Sequence, residues 1–563
     1  MHFLIVGGGS AGCVLAARLS ERADYKVTLV EAGHNVTEAN MQPHVRSRYV
    51  GRAYLDANNI WPNLTAHFGM GSAQGRPDAR RYEQGRLLGG GSAINAMVAN
   101  RGAPSDYDEW AELGAVGWSY DELLPYFRKL ESDADFSGEY HGKDGPIPIR
   151  RISESKMSPF VKAVRSSFET SGHQRHADQN GEWLPGIYTS AIATGSNGER
   201  VPTSVGYLTD VVRARKNLTI LTDCLVEGVV FEGHRATGAR VAPLTGGEAR
   251  VIEADEIIIS AGGIHTPALL MRSGIGPANT LQQLQIPVVH ELRGVGQNLM
   301  EHPLTAVAAC LQAHARQQDL TEHHEHAILR YSSNIGDAPV GDMHVAMIAR
   351  AGWHSIGQRI GALIMWVNKS YSRGETAIRS PDPRQDPHID FRMLSDVRDL
   401  DRLRDGFVRC TQALLHPSMD SVRNSVFPAA YSKRVMDIAQ PGRMNAAKRW
   451  AASRMLDWSG PLQAQFIRKF VTDGKDIQAL IREETALNDY LLQTVSGTWH
   501  ASGTCRMGRA TDAYAVTDER GKVRGTEGIR LCDASIMPSI PRANTNIPTI
   551  MMAERIADLI KGE

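Results

Sequence analysis

The chain opens on four consecutive apolar residues, Phe3-Leu4-Ile5-Val6, then a glycine turn from Gly7 to Gly12. Cys13 to Leu19 follows with apolar residues at helical spacing. A short apolar run bounded by turn residues reads as a buried strand, and the 3.6-residue recurrence after it as a helix. A second run, Lys26 to Val30, ends at Glu31, so strand, turn, helix and strand predict a βαβ start of a parallel sheet. The pattern then loosens. Residues 40–85 are irregular, Gly85 to Asn95 is the densest glycine segment, and 140–200 is polar and loop-rich. Strand character returns at Leu218–Leu221, Val226–Phe231, Gly238–Val241 and most strongly at Glu256–Ile259, which runs into Ser260-Ala261-Gly262-Gly263. Residues 310–490 mix strands such as Ala362–Val367 with helices, and the chain closes with a strand at Ile529–Cys532 and a helix over 549–560. No repeat of 20–50 residues is present, which excludes a solenoid or propeller. Nucleotide-type features at both ends and in the middle imply a discontinuous domain with a second one inserted.

Composition narrows this little. The 563 residues carry 62 Lys+Arg and 62 Asp+Glu, a balance that argues against a nucleic-acid partner. The six cysteines (Cys13, Cys224, Cys310, Cys410, Cys505, Cys532) are scattered without a CxxC pair, so neither zinc nor a disulfide framework is expected. No apolar run reaches the ~20 residues of a membrane span. A strand beginning at Phe3 leaves no room for a signal peptide, and a cytoplasmic enzyme is the expectation.

Gly7-x-Gly9-x-x-Gly12 lies between strand and helix, with Glu31 19 residues beyond Gly12. Such a loop brings backbone N–H groups against a pyrophosphate at a helix N-terminus, and the acid accepts from ribose hydroxyls. Gly8-x-Ser10-x-Gly12 also spells a hydrolase elbow, but that turn needs earlier strands, and residue 8 has only one before it. The additional middle strands ending at Ala261 favour a longer cofactor of flavin type.

Gly85-Arg86-x-Leu88-Gly89-Gly90-Gly91-Ser92-x-Ile94-Asn95, with Ala99, Gly102 and Asp108, resembles the first signature of the glucose–methanol–choline (GMC) flavoprotein oxidoreductases. Gly262-Gly263-Ile264-His265-Thr266-Pro267 through Gly276 resembles the second, with Gly263 where Ala is usual. Gly294 to Leu299 with Glu301-His302-Pro303, His500 to Thr504, Asp533-Ala534-Ser535 and Asn546 to Thr549 extend the likeness over nearly the whole chain. Trp61 to Leu64, Tyr82 to Arg86, Trp366 to Lys369 and Ala543 to Asn546 are similar to the branch oxidising activated primary alcohols such as 5-hydroxymethylfurfural and aryl alcohols. The stretch 425–475 fits that branch worst.

The resemblance implies an α/β plus α+β protein: a discontinuous Rossmann-like FAD-binding domain (1–155, 200–310, 490–563) and an inserted substrate-binding domain (156–199, 311–489) whose antiparallel sheet is flanked by helices. It places FAD against Gly7, Gly9, Ser10, Ala11, Gly12, Glu31, Arg86, Gly89, Gly90, Gly91, Ser92, Asn95, Ala96, Met97, Val98, Val226, Ala261, Trp499, Asp533, Ala534, Asn546, Pro548 and Thr549. Ile94 stands where covalent-flavin members carry histidine, so FAD is expected to be non-covalent. Removing a hydride from an alcohol requires a base beside flavin N5 and a second polar group on the oxygen. His500 matches the base. Asn546 is the expected partner with Asn544 its rival, and Trp366, Val367, Asn368 and Trp499 are expected pocket walls. Glu322-His323-His324-Glu325-His326 lacks the spacing of a helical metal motif and reads as a solvated loop, and no metal is expected. Cys505 reads as a packing residue. Lys433 to Lys469 holds eight basic and two acidic residues with Trp450, Trp458 and Phe466 interspersed, either a solvated helical insertion or a partner- or membrane-facing one. The expected reaction is oxidation of an aryl, furanyl or pyridyl primary alcohol to the aldehyde with O2 reduced to H2O2. A dehydrogenase passing electrons to a quinone or other acceptor, a hydroxynitrile lyase and a non-catalytic flavin protein are the alternatives.

Overall fold

The structure, a computed structural model, describes every residue except Tyr431 and Ser459. Five parallel strands form its first sheet, in the spatial order Ile529–Leu531, Glu256–Ile259, His2–Val6, Lys26–Val30, Leu218–Leu221. Leu4 sits opposite Ile257 on one side and Thr28 on the other. Both faces are covered, so these strands are near-continuous apolar runs. The helix Ser10–Leu19 packs against the C-terminal helix Asn546–Lys561. Arg18 clamps Glu554 between them with three hydrogen bonds of 2.8–3.0 Å, and Tyr207 donates to the same carboxylate at 2.8 Å.

A second core surrounds a six-stranded antiparallel sheet ordered Arg423–Ala429, Leu304–Leu311, Ile360–Val367, Met343–Ile348, Glu325–Tyr331, Gly186–Thr189. Alternation sorts its two faces. Val307, Val345, Leu363 and Met365 pack with Leu403 and Phe407 of the helix Val397–Leu415. Ala308, Ala346, Ile348 and Ala362 point the other way, toward Phe427, Leu456 and Ile467. The basic stretch contributes the helices Lys433–Ala439, Arg443–Leu456 and Pro461–Phe470, which cover that second face. Their outer side is solvated, with Trp450 61 % and Leu462 62 % exposed.

Strand Leu304–Leu311 belongs wholly to the antiparallel sheet, so the boundary expected at 310 falls earlier. Leu64, Phe68 and Tyr82, expected in the first domain, pack in the second core. The Glu322–His326 segment is likewise not a solvated loop. His323 to His326 are buried, and Glu325 begins a sheet strand. His323 and His326 are satisfied inside: His323 Nε2 lies 3.0 Å from the Ala96 carbonyl, and Ser158 N–H donates to His326 Nδ1 at 3.1 Å. All six cysteines are free thiols, and among the described residues no helix is long and apolar enough to cross a membrane.

Candidate active site

The three glycine-rich segments converge on one place. The Gly89 N–H donates to the Gly8 carbonyl at 2.7 Å, which docks the 85–95 segment on the first turn. A Cβ at Gly12 would sit 1.9 Å from the Gly7 carbonyl oxygen, and one at Gly90 2.7 Å from Gly9 Cα. Neither close approach admits a side chain. Glu31 fastens the loop from the far side, accepting from Gly8 N–H at 2.7 Å and Gly33 N–H at 2.8 Å, and burial pushes its carboxyl up to about 7.

A cavity of about 1060 Å³ runs from this loop toward the antiparallel sheet. Gly7, Gly9, Ser10, Ala11, Glu31 and Val226 line its first end. Gly90, Gly91, Asn95, Ala96, Met97 and Val98 line it from the second segment, and Ala261, Asp533, Ala534, Asn546 and Thr549 from the third and the C-terminus. The residues fit a dinucleotide cofactor. No atom lies within 4 Å of the points where a Cβ on Gly91 or Gly262 would begin, so backbone faces the space directly. The first intrahelical bond of Ser10–Leu19 is Cys13 N–H to Gly9 O, which leaves the N–H groups of Ser10, Ala11 and Gly12 for a phosphate. Asp533 is a fastening residue as well as a wall, accepting from Gly262 N–H at 2.9 Å and Thr266 Oγ1 at 2.6 Å. Gly12, Arg86, Gly89, Ser92 and Pro548 shape or support this region without lining the cavity.

Farther along stands His500, 7 % exposed. Its Nε2 lies 3.2 Å from Asn544 Nδ2. Asn546 points elsewhere and accepts from Ser10 Oγ at 2.7 Å. The terminal helix begins at Asn546 rather than at 549, which turns Asn546 onto the dinucleotide loop and leaves Asn544 in the preceding turn against the histidine. The expectation that favoured Asn546 as the histidine's partner is corrected accordingly. Thr549 N–H is occupied by the Thr545 carbonyl at 3.0 Å, so the open N–H groups at this end are those of Asn546 and Ile547.

Three residues not assigned a role from sequence hold the imidazole. Glu301 is fully buried and accepts from His500 N–H at 2.8 and 3.0 Å, His302 N–H at 2.9 Å, Thr498 Oγ1 at 2.9 Å and Tyr82 Oη at 2.8 Å. Burial raises its carboxyl above the usual carboxylate range. Thr498 Oγ1 lies 2.6 Å from His500 Nδ1, and His302 Nδ1 lies 2.8 Å from the same atom. Glu301 as a carboxylate can only accept. The Thr498 hydroxyl hydrogen therefore goes to Glu301, and its lone pair faces His500 Nδ1. That fixes the proton on Nδ1 and leaves Nε2 bare toward Asn544. Burial, with His302 alongside, holds the His500 imidazole well below its ordinary 6.5, and burial takes His302 to about 3. The Glu301-His302 pair was visible in the sequence as a motif, but nothing there connects it to Thr498.

Trp499, at φ 61°, lines the cavity beside His500 and donates to Glu83 Oε2 at 2.9 Å. Trp366, Val367 and Asn368 do not line it, contrary to expectation. Trp366 stacks on His344 with ring centroids 4.0 Å apart and donates to Asn368 Oδ1 at 3.1 Å, while Val367 is buried in the opposite face. The cavity wall on this strand is Ile360, Ala362 and Ile364.

Comparison with known proteins agrees with this architecture. The two GMC oxidoreductase family models match residues 1–304 and 370–553. The chain is 39 % identical to 5-(hydroxymethyl)furfural oxidase of Methylovorus sp. (strain MP688), covering 99 % of this chain and 98 % of that enzyme. It is 33 % identical to the oxygen-dependent choline dehydrogenase of Pseudomonas fluorescens (strain Pf0-1), covering 100 % and 93 %. Pyridoxine 4-oxidase from Mesorbium loti superposes with a TM-score of 0.81 at 26 % identity, covering 100 % of this chain and 99 % of that one. Motifs, sheet topology and these matches place the chain in the GMC oxidoreductase family of FAD-dependent alcohol oxidoreductases.

Proposed function

We propose that the chain oxidises an activated primary alcohol, an aryl, furanyl or pyridyl methanol, to its aldehyde and passes the electrons to O2, giving H2O2. The observation that carries this is the hydrogen-bonded chain Glu301–Thr498–His500–Asn544 at the side of the cavity beyond the dinucleotide cradle. FAD, when bound along the glycine segments, supplies the hydride acceptor. His500 Nε2, bare and neutral, takes the alcohol proton, and Asn544 Nδ2 donates to the oxygen as negative charge develops on it. Asn544 has no ionisable proton, so His500 carries the acid–base work alone. Asn546 has a cofactor-side role, joining the two helix N-termini that close on the cradle. Ile94 offers no nucleophile, which supports non-covalent FAD; trichloroacetic acid should leave the yellow colour in the supernatant. The furfural-alcohol and pyridoxine oxidases among the relatives support the ring alcohol and the oxygen acceptor.

The test is anaerobic mixing of the holoenzyme with benzyl alcohol, 5-hydroxymethylfurfural, a pyridinemethanol, 1-butanol and choline, followed by air. Bleaching by the ring alcohols, with recolouring and one H2O2 per turnover in air, is the expected result. Bleaching that only a quinone reverses identifies a dehydrogenase, and bleaching by no alcohol refutes the proposal.

A further inference from the structure

The cavity extends past His500 into a far chamber between the antiparallel sheet and the helical insertion. Its floor is the outer face of the antiparallel sheet, where Ala306, Ala308 and Ala362 stand beside the partly exposed Ile360 and Ile364. Neighbouring residues facing the opposite core are the larger Val307, Leu363 and Met365. The roof is the helical insertion, which contributes Ile438, Ala452, Leu456 and Phe466. Of the polar cavity residues on the insertion side, Arg434, Lys448, Asp473 and Lys475 are exposed and mark the rim, the buried Thr472 donates its hydroxyl to the Lys475 carbonyl at 2.8 Å, and Ser432 Oγ accepts from Val435 N–H. Ala308, Ala362 and Leu456 are packed together there, whereas Ala306, Ile360, Ile364, Ile438, Ala452 and Phe466 keep partly exposed apolar surface that an apolar ligand removes from water.

We propose that this chamber takes the apolar body of the substrate, so that preferred alcohols carry a hydrocarbon substituent of several carbons on the side away from the CH2OH group. The inference rests on the alcohol-oxidation reading above and adds the class of group that the far chamber recognises.

The experiment measures kcat/KM of the FAD-loaded enzyme for 4-alkylbenzyl alcohols from methyl to n-hexyl. Burial of each methylene should raise it about fourfold over the first carbons, the equivalent of about 0.8 kcal/mol. Ala452→Trp, which fills the chamber from the roof, should flatten that series. A series flat or falling in the unsubstituted enzyme, with benzyl alcohol itself oxidised, overturns the chamber assignment and leaves the reaction standing. If no alcohol bleaches the flavin, the reaction fails, and titration calorimetry of the holoenzyme decides the chamber alone. Binding of 4-hexylbenzyl alcohol at least tenfold tighter than benzyl alcohol supports it, and equal or absent binding overturns it.

Discussion

Replacing Thr498 with valine removes one hydroxyl and almost no volume, and it breaks the device that fixes the His500 tautomer. In the native site the hydroxyl donates to Glu301 Oε1 at 2.9 Å and faces His500 Nδ1 at 2.6 Å. Valine leaves His302 Nδ1, 2.8 Å away, as the remaining polar contact of that nitrogen. His302 is then free to donate, which moves the His500 proton to Nε2 and disables the base. A buried group deprived of its partner costs about 1–3 kcal/mol. Placed in the barrier, that is a roughly 5- to 150-fold slower flavin reduction. The assay is stopped-flow reduction at saturating benzyl alcohol between pH 6 and 9. Thr498→Ser, which keeps the hydroxyl, should recover most of the rate, whereas a packing defect alone would not distinguish valine from serine in this direction. A folded Thr498→Val enzyme reducing flavin at the native rate would refute the tautomer argument.

Other consequences follow from the same contacts. Asn544→Ala should slow flavin reduction with little change in flavin content, whereas Asn546→Ala, which loses the Ser10 bond of 2.7 Å, should lower flavin retention, read as the 450 nm to 280 nm absorbance ratio. Gly90→Ala, whose new Cβ would lie 2.7 Å from Gly9 Cα, should yield protein largely without flavin by the same ratio. Urea melts should show an acid-side loss of stability from three buried histidines. Burial holds His302 and His326 to about 3 and His323 to about 4, so below pH 6.5 the unfolded chain binds protons that the fold refuses. Their contribution falls from pH 6.5 toward 4, by up to about 1.4 kcal/mol per pH unit for each group, and Glu31, pushed up to about 7 by burial, acts against it; replacing the three histidines singly by glutamine should each reduce the acid-side loss. His141 acts in the opposite direction: burial opposes its charge, but hydrogen bonds with Asp133, Asp178 and Glu131 override burial and raise it to about 10. Its contribution is complete below pH 6.5 and fades as pH rises toward 10; His141→Gln should remove that alkaline decline.

The cofactor half was readable from sequence because its geometry is local. Gly7, Gly9 and Gly12 follow a strand and open a helix within ten residues, and each is fixed by backbone neighbours close in sequence or by another glycine segment. The catalytic half is built from distant pairs. Asn544 and Asn546 are the same residue type two positions apart, and only the helix start at Asn546 separates their directions. Trp366 was misplaced for a different reason. Alternation identifies the two faces of Ile360–Val367, but both faces are covered, so parity does not say which residues reach a cavity. His323 to His326 misled through composition, since the Ala96 carbonyl and Ser158 N–H that satisfy His323 and His326 are about 170–230 residues away in sequence.

The measurement closest to the centre of the account is the anaerobic reduction of flavin by a saturating ring alcohol in His500→Ala, compared with the unsubstituted holoenzyme. His500 presents its bare Nε2 beside Asn544 and sits within the cavity that the cofactor segments share. Loss of a positioned base predicts a reduction rate about 10²- to 10⁴-fold lower with the flavin content and spectrum retained. Reduction at the native rate by the alanine variant would contradict the assignment of this site as the place where the alcohol loses its proton.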